Sequence, residues 1–246
     1  MSLAVDLAAR VALVTGGTRG VGAGIVATLR EAGATVVTCA RSGSDHDCDV
    51  RDPEAVAALV ERIVADHGRI DLVVNNAGGS PAADAATASP RFHDVVVSLN
   101  LLAPLHVAQA ANAVMQRQSG GGVIVNVSSV SARRPSPGTA AYGAAKAGLD
   151  SLTRSLAIEW APRVRVNSID VGMVRTEQTD DHYGGAEGAA RIEETIPLGR
   201  MATPADVGNV VAFLASDLAS YVSGATLECH GGGEAPPFLQ LAKEQQ

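Results

Sequence analysis

Continuous apolar runs alternate with longer amphipathic segments along this chain. Six runs are rich in β-branched and other apolar residues and show little polar alternation: VALVT (11–15), TVVTC (35–39), DLVVNN (71–76), VIVNVSS (123–129), VRVNSID (164–170) and ATLEC (225–229). A short strand-like stretch, HDCDV (46–50), follows the second of them. Runs of this length without a polar face are typical of strands that are buried on both sides of a parallel sheet. The pattern therefore predicts seven strands, of which the third is short.

Helical periodicity fills the intervals between these runs. One segment begins at Pro53, a residue type favoured at the first position of a helix. Its apolar residues follow the helical period: Val56, Leu59, Val60, Ile63 and Val64. Further helices are predicted at about 20–32, 91–118, 139–161 and 204–216. Strands that alternate with helices predict one α/β domain over residues 1–246, with helices on both faces of a parallel sheet.

Two α/β architectures fit a chain of 246 residues. One is a closed barrel of eight strands, and the other is an open, doubly wound (Rossmann) sheet. The sequence offers seven strands rather than eight, and a glycine cluster falls in the first strand-to-helix turn, where doubly wound sheets bind dinucleotides. The doubly wound sheet is therefore the predicted fold class.

Composition and charge exclude several classes of protein. Hydrophobic residues make up 46% and charged residues 18%, and the net charge of −7 comes without a basic stripe, so a nucleic-acid partner is not expected. Cys39, Cys48 and Cys229 lack metal-ligand spacing, which predicts free buried thiols and no metal site. The N-terminus resembles no signal peptide, and no run approaches the roughly 20 apolar residues of a membrane span. We therefore expect a cytoplasmic protein.

The stretch VALVTGGTRGVG places Gly16, Gly20 and Gly22 between the first strand and the first helix. Glycines permit the tight turn and let backbone N–H groups approach a pyrophosphate at the helix N-terminus. The spacing is G-x-x-x-G-x-G rather than G-x-G-x-x-G, and glycines also cluster in turns that bind nothing. The turn alone therefore leaves both interpretations open.

A tyrosine and a lysine lie four residues apart in YGAAK, so Tyr142 and Lys146 share one face of a helix. A free phenol is a poor base at neutral pH, and a neighbouring ammonium is expected to lower its pKa. Such a pair can exchange a proton with an alcohol or carbonyl oxygen. A solvated surface pair is the alternative, which the small neighbouring residues disfavour.

Four motifs in order resemble those of the short-chain dehydrogenase/reductase family: T-G-x-x-x-G-x-G at 15–22, NNAG at 75–78, SS at 128–129 and YGAAK at 142–146. The resemblance covers residues 10–233. It implies hydride transfer between a nicotinamide cofactor and a carbonyl or secondary alcohol carbon. Enoyl reductases of this superfamily place the tyrosine and lysine farther apart than four residues, so the resemblance favours C=O over C=C chemistry.

The resemblance also assigns roles to individual residues. It makes Tyr142 the general acid/base and Lys146 a ligand of the nicotinamide ribose as well. Ser129, thirteen positions before the tyrosine, would bind the substrate oxygen, although Ser128 and Ser131 are nearby hydroxyls. Asn100 would complete a proton relay through water, and a helix-kink role near Pro104 is an alternative for it.

Further positions match the cofactor-binding positions of the family. Besides Tyr142 and Lys146, they lie in the glycine turn, at or just after the ends of the third and fourth strands, and after the sixth: Gly16, Thr18, Arg19, Gly20, Val21, Gly22, Asp49, Val50, Asn76, Gly78, Val174 and Thr176. The usual Pro-Gly after the sixth strand is Val171-Gly172 here, and His230 replaces the aspartate of a later Asp-Gly-Gly. His230 is expected to be a structural turn residue.

Two arginines bear on the choice of cofactor. NAD-dependent members carry an acid at the end of the second strand, where this chain has Ala40 followed by Arg41. A guanidinium there can hold a 2′-phosphate, and Arg19 is a second cation in the glycine turn. Both favour NADP(H). NAD(H) remains the alternative, because the short SGSDHD connection has no room for a helix and could bring Asp45 or Asp47 to the ribose.

Residues 177–199 match the family's variable substrate-covering segment and predict a mobile lid, with His182 as a loop residue, and 234–246 form a C-terminal tail. Arg133 and Arg134 are expected to be solvated, or alternatively to face an acidic substrate group. The segments 91–118 and 139–161 are apolar on more than one face, and family members pair these helices into tetramers. We expect a homo-oligomer that acts on a small carbonyl or alcohol. A dinucleotide-binding protein without catalysis is the alternative from another class.

Overall fold

A computed structural model describes residues 4–179 and 183–234. Its strands form one sheet in which each neighbouring pair is parallel, in the order β3-β2-β1-β4-β5-β6-β7. In chain order the strands are β1 Val11–Thr15, β2 Thr35–Ala40, β3 His46–Asp47, β4 Leu72–Asn75, β5 Gly122–Ser129, β6 Val164–Val171 and β7 Thr226–Cys229. The predicted doubly wound sheet is confirmed.

Helices cover both faces of this sheet. They are α1 Gly20–Glu31, α2 Pro53–His67, α3 Pro90–Val97, α4 Ala103–Met115, α5 Ala140–Glu159, α6 Gly185–Thr195 and α7 Pro204–Ala215. One apolar core joins α1 and α7 to the sheet, and a second core joins α2, α4 and the C-terminal half of α5 to the opposite face. The strands are buried on both sides for this reason, which explains their lack of polar alternation.

The segment predicted as one helix over 91–118 is interrupted. A π-helical turn, Ser98–Leu102, separates α3 from α4 and adds a residue to the helical path at buried Asn100. π-helical turns inside helices are rare and occur often at functional sites. The run from Pro90 to Met115 has 26 residues and is apolar enough, by length and composition, to cross a membrane. The expectation that no run reaches this length was wrong, although Val107, Ala111 and Met115 are buried in the core.

The second and third strands are joined without a helix, as the sequence predicts. The carboxylate of Asp45 accepts hydrogen bonds from the backbone N–H and the hydroxyl of Thr38, both at 2.8 Å. The Ser44 hydroxyl accepts from the N–H of Ala40 at 2.9 Å. Side chains of the turn thus accept hydrogen bonds from backbone N–H groups of β2 that a longer third strand would otherwise bind. Strand β3 itself has only two residues.

Candidate active site

A cleft of about 950 Å³ opens at the carboxyl ends of the strands, beside the point where the strand order reverses between β1 and β4. This is where doubly wound sheets bind ligands. Every predicted site residue except Asn100 lines this cleft: Gly16, Thr18, Arg19, Gly20, Val21, Gly22, Arg41, Asp49, Val50, Asn76, Gly78, Ser129, Tyr142, Lys146, Val174 and Thr176. The cleft is also lined by residues that the sequence did not predict as site residues, among them Cys39, Ser42 and Arg51.

The glycine turn is packed so closely that a side chain would not fit at Gly22. A Cβ atom there would lie 2.1 Å from the carbonyl oxygen of Gly16. Helix α1 begins at Gly20, and its N-cap residue Arg19 makes no side-chain capping bond. The first N–H groups of α1 therefore face the cleft without a capping side chain, as a pyrophosphate-binding turn requires.

The NNAG segment supports this turn from the neighbouring strand. The side-chain amide of Asn76 donates to the carbonyl oxygens of Thr15 and Gly16 at 3.0 and 3.1 Å. At Gly78 a Cβ atom would lie 2.7 Å from Oδ1 of Asn100, so this position also requires a residue without a side chain. Asn76 thus holds the glycine turn with its amide, in addition to lining the cleft.

Asn100 lies behind the cleft and is fully buried. Its Oδ1 accepts from the N–H of Gly79 at 2.8 Å, and its Nδ2 donates to the carbonyl oxygens of Gly79 and Val96 at 2.9 Å each. The alternative considered from the sequence was that Asn100 kinks the helix by bonding to the backbone near Pro104. The Pro104 carbonyl accepts a hydrogen bond from Asn75 instead. Asn100 therefore connects the π-helical turn to the loop after β4.

Of the three candidate hydroxyls, Ser129 is the one beside Tyr142. Its hydroxyl hydrogen-bonds the phenol oxygen and lowers the pKa of Tyr142, although burial is the larger effect and raises that pKa overall. Ser128 points away and donates to the carbonyl oxygen of Lys146 at 3.4 Å, while Ser131 accepts from Ser136 at 3.2 Å. The family spacing and the structure select the same serine.

Lys146 is buried, and its ammonium donates to the carbonyl oxygen of Val127 at 2.8 Å. Its Nζ lies 5.6 Å from the centre of the Tyr142 ring. Burial lowers the pKa of Lys146 to about 8, against the opposing effect of Asp150 and Asp170. We expected Lys146 to lower the pKa of Tyr142. That expectation was wrong for this geometry, because the ammonium bonds to the backbone and burial raises the pKa of the phenol.

Arg19 and Arg41 are exposed at the end of the cleft near β2 and α1. Within residues 4–179 and 183–234, neither forms an ion pair, whereas Arg51 does so with Asp49, at 2.9 Å between Nε and Oδ1. The Arg51 guanidinium lowers the pKa of Asp49. Asp45 bonds to Thr38, and neither Asp45 nor Asp47 lines the cleft. Neither aspartate that was considered for the ribose contact therefore lies in the cleft lining.

A second cavity of about 260 Å³ lies next to the cleft, between the loop after β5 and the end of β7. Arg133 pairs there with Asp170 and Glu228, and Arg134 pairs with Glu234 at 2.8 Å. The prediction that both arginines are simply solvated was wrong. His230 bonds to Glu228 at 2.9 Å. In the substrate-covering segment, α6 is a regular helix, whereas residues 180–182, with His182, and residues beyond 234 lie outside the described part.

The comparisons with known proteins agree with this architecture. The family model described as enoyl-(acyl carrier protein) reductase matches residues 16–234. The chain is 35% identical to D-threitol dehydrogenase of Mycolicibacterium smegmatis, over 91% of this chain and 92% of that protein. It is 34% identical to 3alpha-hydroxysteroid dehydrogenase of Mediterraneibacter gnavus, over 92% and 97%.

A solved structure shows the same fold. The short-chain type dehydrogenase/reductase from Mycobacterium marinum superposes with a TM-score of 0.87 at 30% identity, over 94% of this chain and 98% of that chain. Fold, motifs and relatives coincide over nearly the whole length described. The chain belongs to the short-chain dehydrogenase/reductase family and is an oxidoreductase of that family.

Proposed function

We propose that this protein interconverts a carbonyl and a secondary alcohol with NADP(H), using Tyr142 as the general acid/base. The observation that carries the proposal is the convergence of Tyr142, Ser129 and Lys146 on one cleft with the glycine turn of α1. When bound, the nicotinamide supplies or accepts the hydride. The residues of the chain then have to hold the substrate oxygen and move one proton.

Tyr142 is suited to donate that proton in the direction of reduction. Burial raises the pKa of its phenol, so the group carries its proton at neutral pH. The Ser129 hydroxyl beside it can hydrogen-bond the same substrate oxygen. Lys146, whose Nζ lies 5.6 Å from the centre of the Tyr142 ring, would bind the nicotinamide ribose, as the family resemblance implies. Asn100 would act indirectly, because its hydrogen bonds to the backbone of Gly79 hold the loop after β4 in place.

The preference for NADP(H) rests on charge at the adenosine end. Strand β2 ends at Ala40 rather than at an acid, and Asp45 is held by Thr38. Arg19 and Arg41 are exposed and lack ion-pair partners among the described residues, so both guanidiniums are free to bind a 2′-phosphate.

The substrate side favours a neutral molecule. Each arginine of the second cavity already faces a carboxylate of the protein, so a substrate carboxylate or phosphate would have to displace Glu228 or Glu234. The relatives are named for a sugar alcohol and a steroid, which are uncharged at the reacting carbon and differ widely in size. Only the ion pairs favour a neutral carbonyl compound, because a further relative, at 33% identity, is named for a gluconate, which carries a carboxylate.

Reduction of C=C bonds is the second candidate, because the matching family model is described as an enoyl reductase. The four-residue spacing of Tyr142 and Lys146 argues against it, as enoyl reductases of the superfamily space these residues farther apart. The two reactions are distinguished by measuring the consumption of an enoyl thioester and of its 3-oxoacyl counterpart, each in the presence of NADPH. Consumption of the enoyl thioester alone would contradict the carbonyl assignment.

The decisive test is the turnover of a panel of neutral ketones and sugars by wild type, Tyr142→Phe and the control Tyr221→Phe. Tyr221 is fully exposed and does not line the cleft. We expect Tyr142→Phe to lower turnover by about 10²- to 10⁴-fold, because a positioned proton donor contributes that much. NADPH binding should persist in this variant. Unchanged turnover in Tyr142→Phe would overturn the mechanism, and binding without turnover of any substrate would favour a non-catalytic dinucleotide-binding protein.

A further inference from the structure

Two carboxyl groups are buried together beneath Lys146, outside the proposed catalytic set. Asp150 lies one helical turn further along α5 and is 6% exposed, while Asp170 lies on β6 and is fully buried. Buried carboxylates are costly unless they are paired or protonated. Their contacts therefore show which form each adopts.

Asp170 has the contacts of the ionised member. Its Oδ2 accepts from Nε of Arg133, and Nη1 of Arg133 also pairs with Glu228 at 2.7 Å. Its other oxygen, Oδ1, is buried and has no hydrogen-bond partner in the structure. A buried carboxylate oxygen without a donor is destabilising, so a donor that is not apparent from heavy atoms alone is required.

Asp150 can supply that donor. Its Oδ1 accepts from the Ser168 hydroxyl at 2.8 Å, and Asp170 lies two residues from Ser168 on the same face of β6. Burial raises the pKa of Asp150, Asp170 raises it further, and the Ser168 hydroxyl opposes both effects. A protonated Asp150 donates an O–H to Asp170, whereas two ionised carboxylates at this position would repel each other.

We propose that Asp150 and Asp170 share a single proton, and that the one negative charge of this pair holds Lys146 in its ammonium form. Within the described residues Lys146 has no carboxylate at ion-pair distance, and its Nζ bonds only to the Val127 carbonyl. The pair therefore supplies the buried countercharge that the lysine lacks. Asp150 and Asp170 are positioning residues, and only their catalytic consequence rests on the proposed function.

The surroundings of the pair contain few other charges. Arg133 follows β5, and Glu228 and His230 lie at the end of β7, where they neutralise one another in part. Strand β5 and the π-helical turn contribute no titratable side chain. Helix α3, which packs against α5, carries Arg91 and Asp94 at exposed positions and His93 edge-on to Phe92. Tyr142 is the remaining titratable group on the same helix face as Lys146.

A shared proton predicts that replacing one carboxyl group by the isosteric amide and replacing both have different effects on the charge near Lys146. Asp150→Asn replaces a group that is already neutral, so the charge near Lys146 is unchanged. The double substitution Asp150→Asn with Asp170→Asn removes the charge. Two independently ionised carboxylates would behave differently, since each single substitution would then remove one charge.

The chain offers a direct measurement, because Lys146 and Lys243 are its only lysines. Protein labelled with [ε-¹³C]lysine gives two NMR signals, which Lys243→Arg assigns, and Lys243 serves as the internal reference. We expect Asp150→Asn to leave the titration midpoint of Lys146 unchanged and the double variant to lower it by about one pH unit or more. A lowered midpoint in Asp150→Asn, or an unchanged one in the folded double variant, overturns the proposal.

A second measurement decides the matter if the double variant does not fold. The infrared spectrum of the wild type at neutral pH should contain the C=O band of a protonated carboxylic acid, and Asp150→Asn should lose it. Absence of the band from the wild type contradicts the shared proton. Neither measurement requires turnover, so both remain decisive if no carbonyl substrate is found. If the proposed function holds, the alkaline limb of the kcat/KM profile should follow the midpoint of Lys146.

Discussion

Arg41 directly follows strand β2, where we propose that the adenosine ribose binds, and its side chain is exposed and lies at the edge of the cleft. A hydrogen bond to a charged group contributes about 1.5–3 kcal/mol. We therefore expect Arg41→Ala to weaken NADPH binding by about 10- to 100-fold and to leave NADH binding nearly unchanged. Fluorescence titration with both nucleotides measures this difference.

Arg62→Ala is the matched control for Arg41→Ala, because Arg62 is an exposed arginine on α2 that does not line the cleft. Equal losses of affinity for NADPH and NADH in Arg41→Ala would instead indicate that the substitution disturbs the binding of the adenosine part that both cofactors share. Tighter binding of NADH than NADPH by the wild type would contradict the proposed preference and leave Arg41 as a solvated residue.

Some residue roles follow from sequence spacing, and others depend on tertiary contacts. The spacing of four positions from Tyr142 to Lys146 is enough to place both on one helix face. The bond from Lys146 to the Val127 carbonyl depends on how α5 packs on β5, and no spacing indicates it. The Asp150–Asp170 pair is likewise invisible in the sequence, because the two residues belong to different elements. Local patterns therefore predict which residues gather at the cleft, but not the electrostatics of each.

At the scale of elements, Asp206 stabilises the first turn of α7. Its carboxylate accepts from the N–H and hydroxyl of Thr203, at 2.7 and 2.9 Å, and pairs with Arg200 at 2.7 Å. These hydrogen bonds hold the pKa of Asp206 well below its usual range. This capping box fixes the helix that packs on α1, and thus the core beneath the glycine turn.

We expect Asp206→Ala to reduce the free energy of unfolding by about 1 kcal/mol at neutral pH, as other lost caps do. Because the folded-state pKa is lowered, this contribution is complete above the unfolded pKa of about 3.9 and is lost as the pH falls towards the folded value. Urea unfolding at several pH values measures it, with the exposed Asp66→Ala on α2 as the control. A difference that persists undiminished in acid would show that the carboxylate charge is not its source.

The predicted elements were accurate where one pattern dominated. Strands that lack a polar face and the helix from Pro53 were predicted nearly to the residue. The π-helical turn was missed, because its residues SLNLL are as apolar as those of the flanking helices and only the buried Asn100 differs. Strand β3 was predicted to extend to Val50 but ends at Asp47, because its partner strand β2 ends at Ala40 and offers no further residue for pairing.

At the scale of the whole molecule, the described residues expose six large apolar side chains, and four of these lie on two separate groups of elements. Leu102 and Ile158, on the π-helical turn and α5, are 42% and 81% exposed. Leu218 and Tyr221, which precede the edge strand β7, are 44% exposed and fully exposed. Two distinct self-complementary surfaces are what a tetramer of D₂ symmetry requires, since each interface alone closes only a dimer.

We therefore expect the wild type to be a tetramer, and we expect a single substitution in either surface to disrupt only the interface formed by that surface. Ile158→Asp should leave dimers joined through the β7 side, Tyr221→Asp should leave dimers joined through the helices, and the double variant should be monomeric. An introduced charge is costly only where the residue becomes buried, so Ala57→Asp on the exposed side of α2 should remain tetrameric. Light scattering after size exclusion gives the masses. A monomeric wild type would contradict the assembly, and an Ile158→Asp variant that stays tetrameric would exclude α5 from the interface.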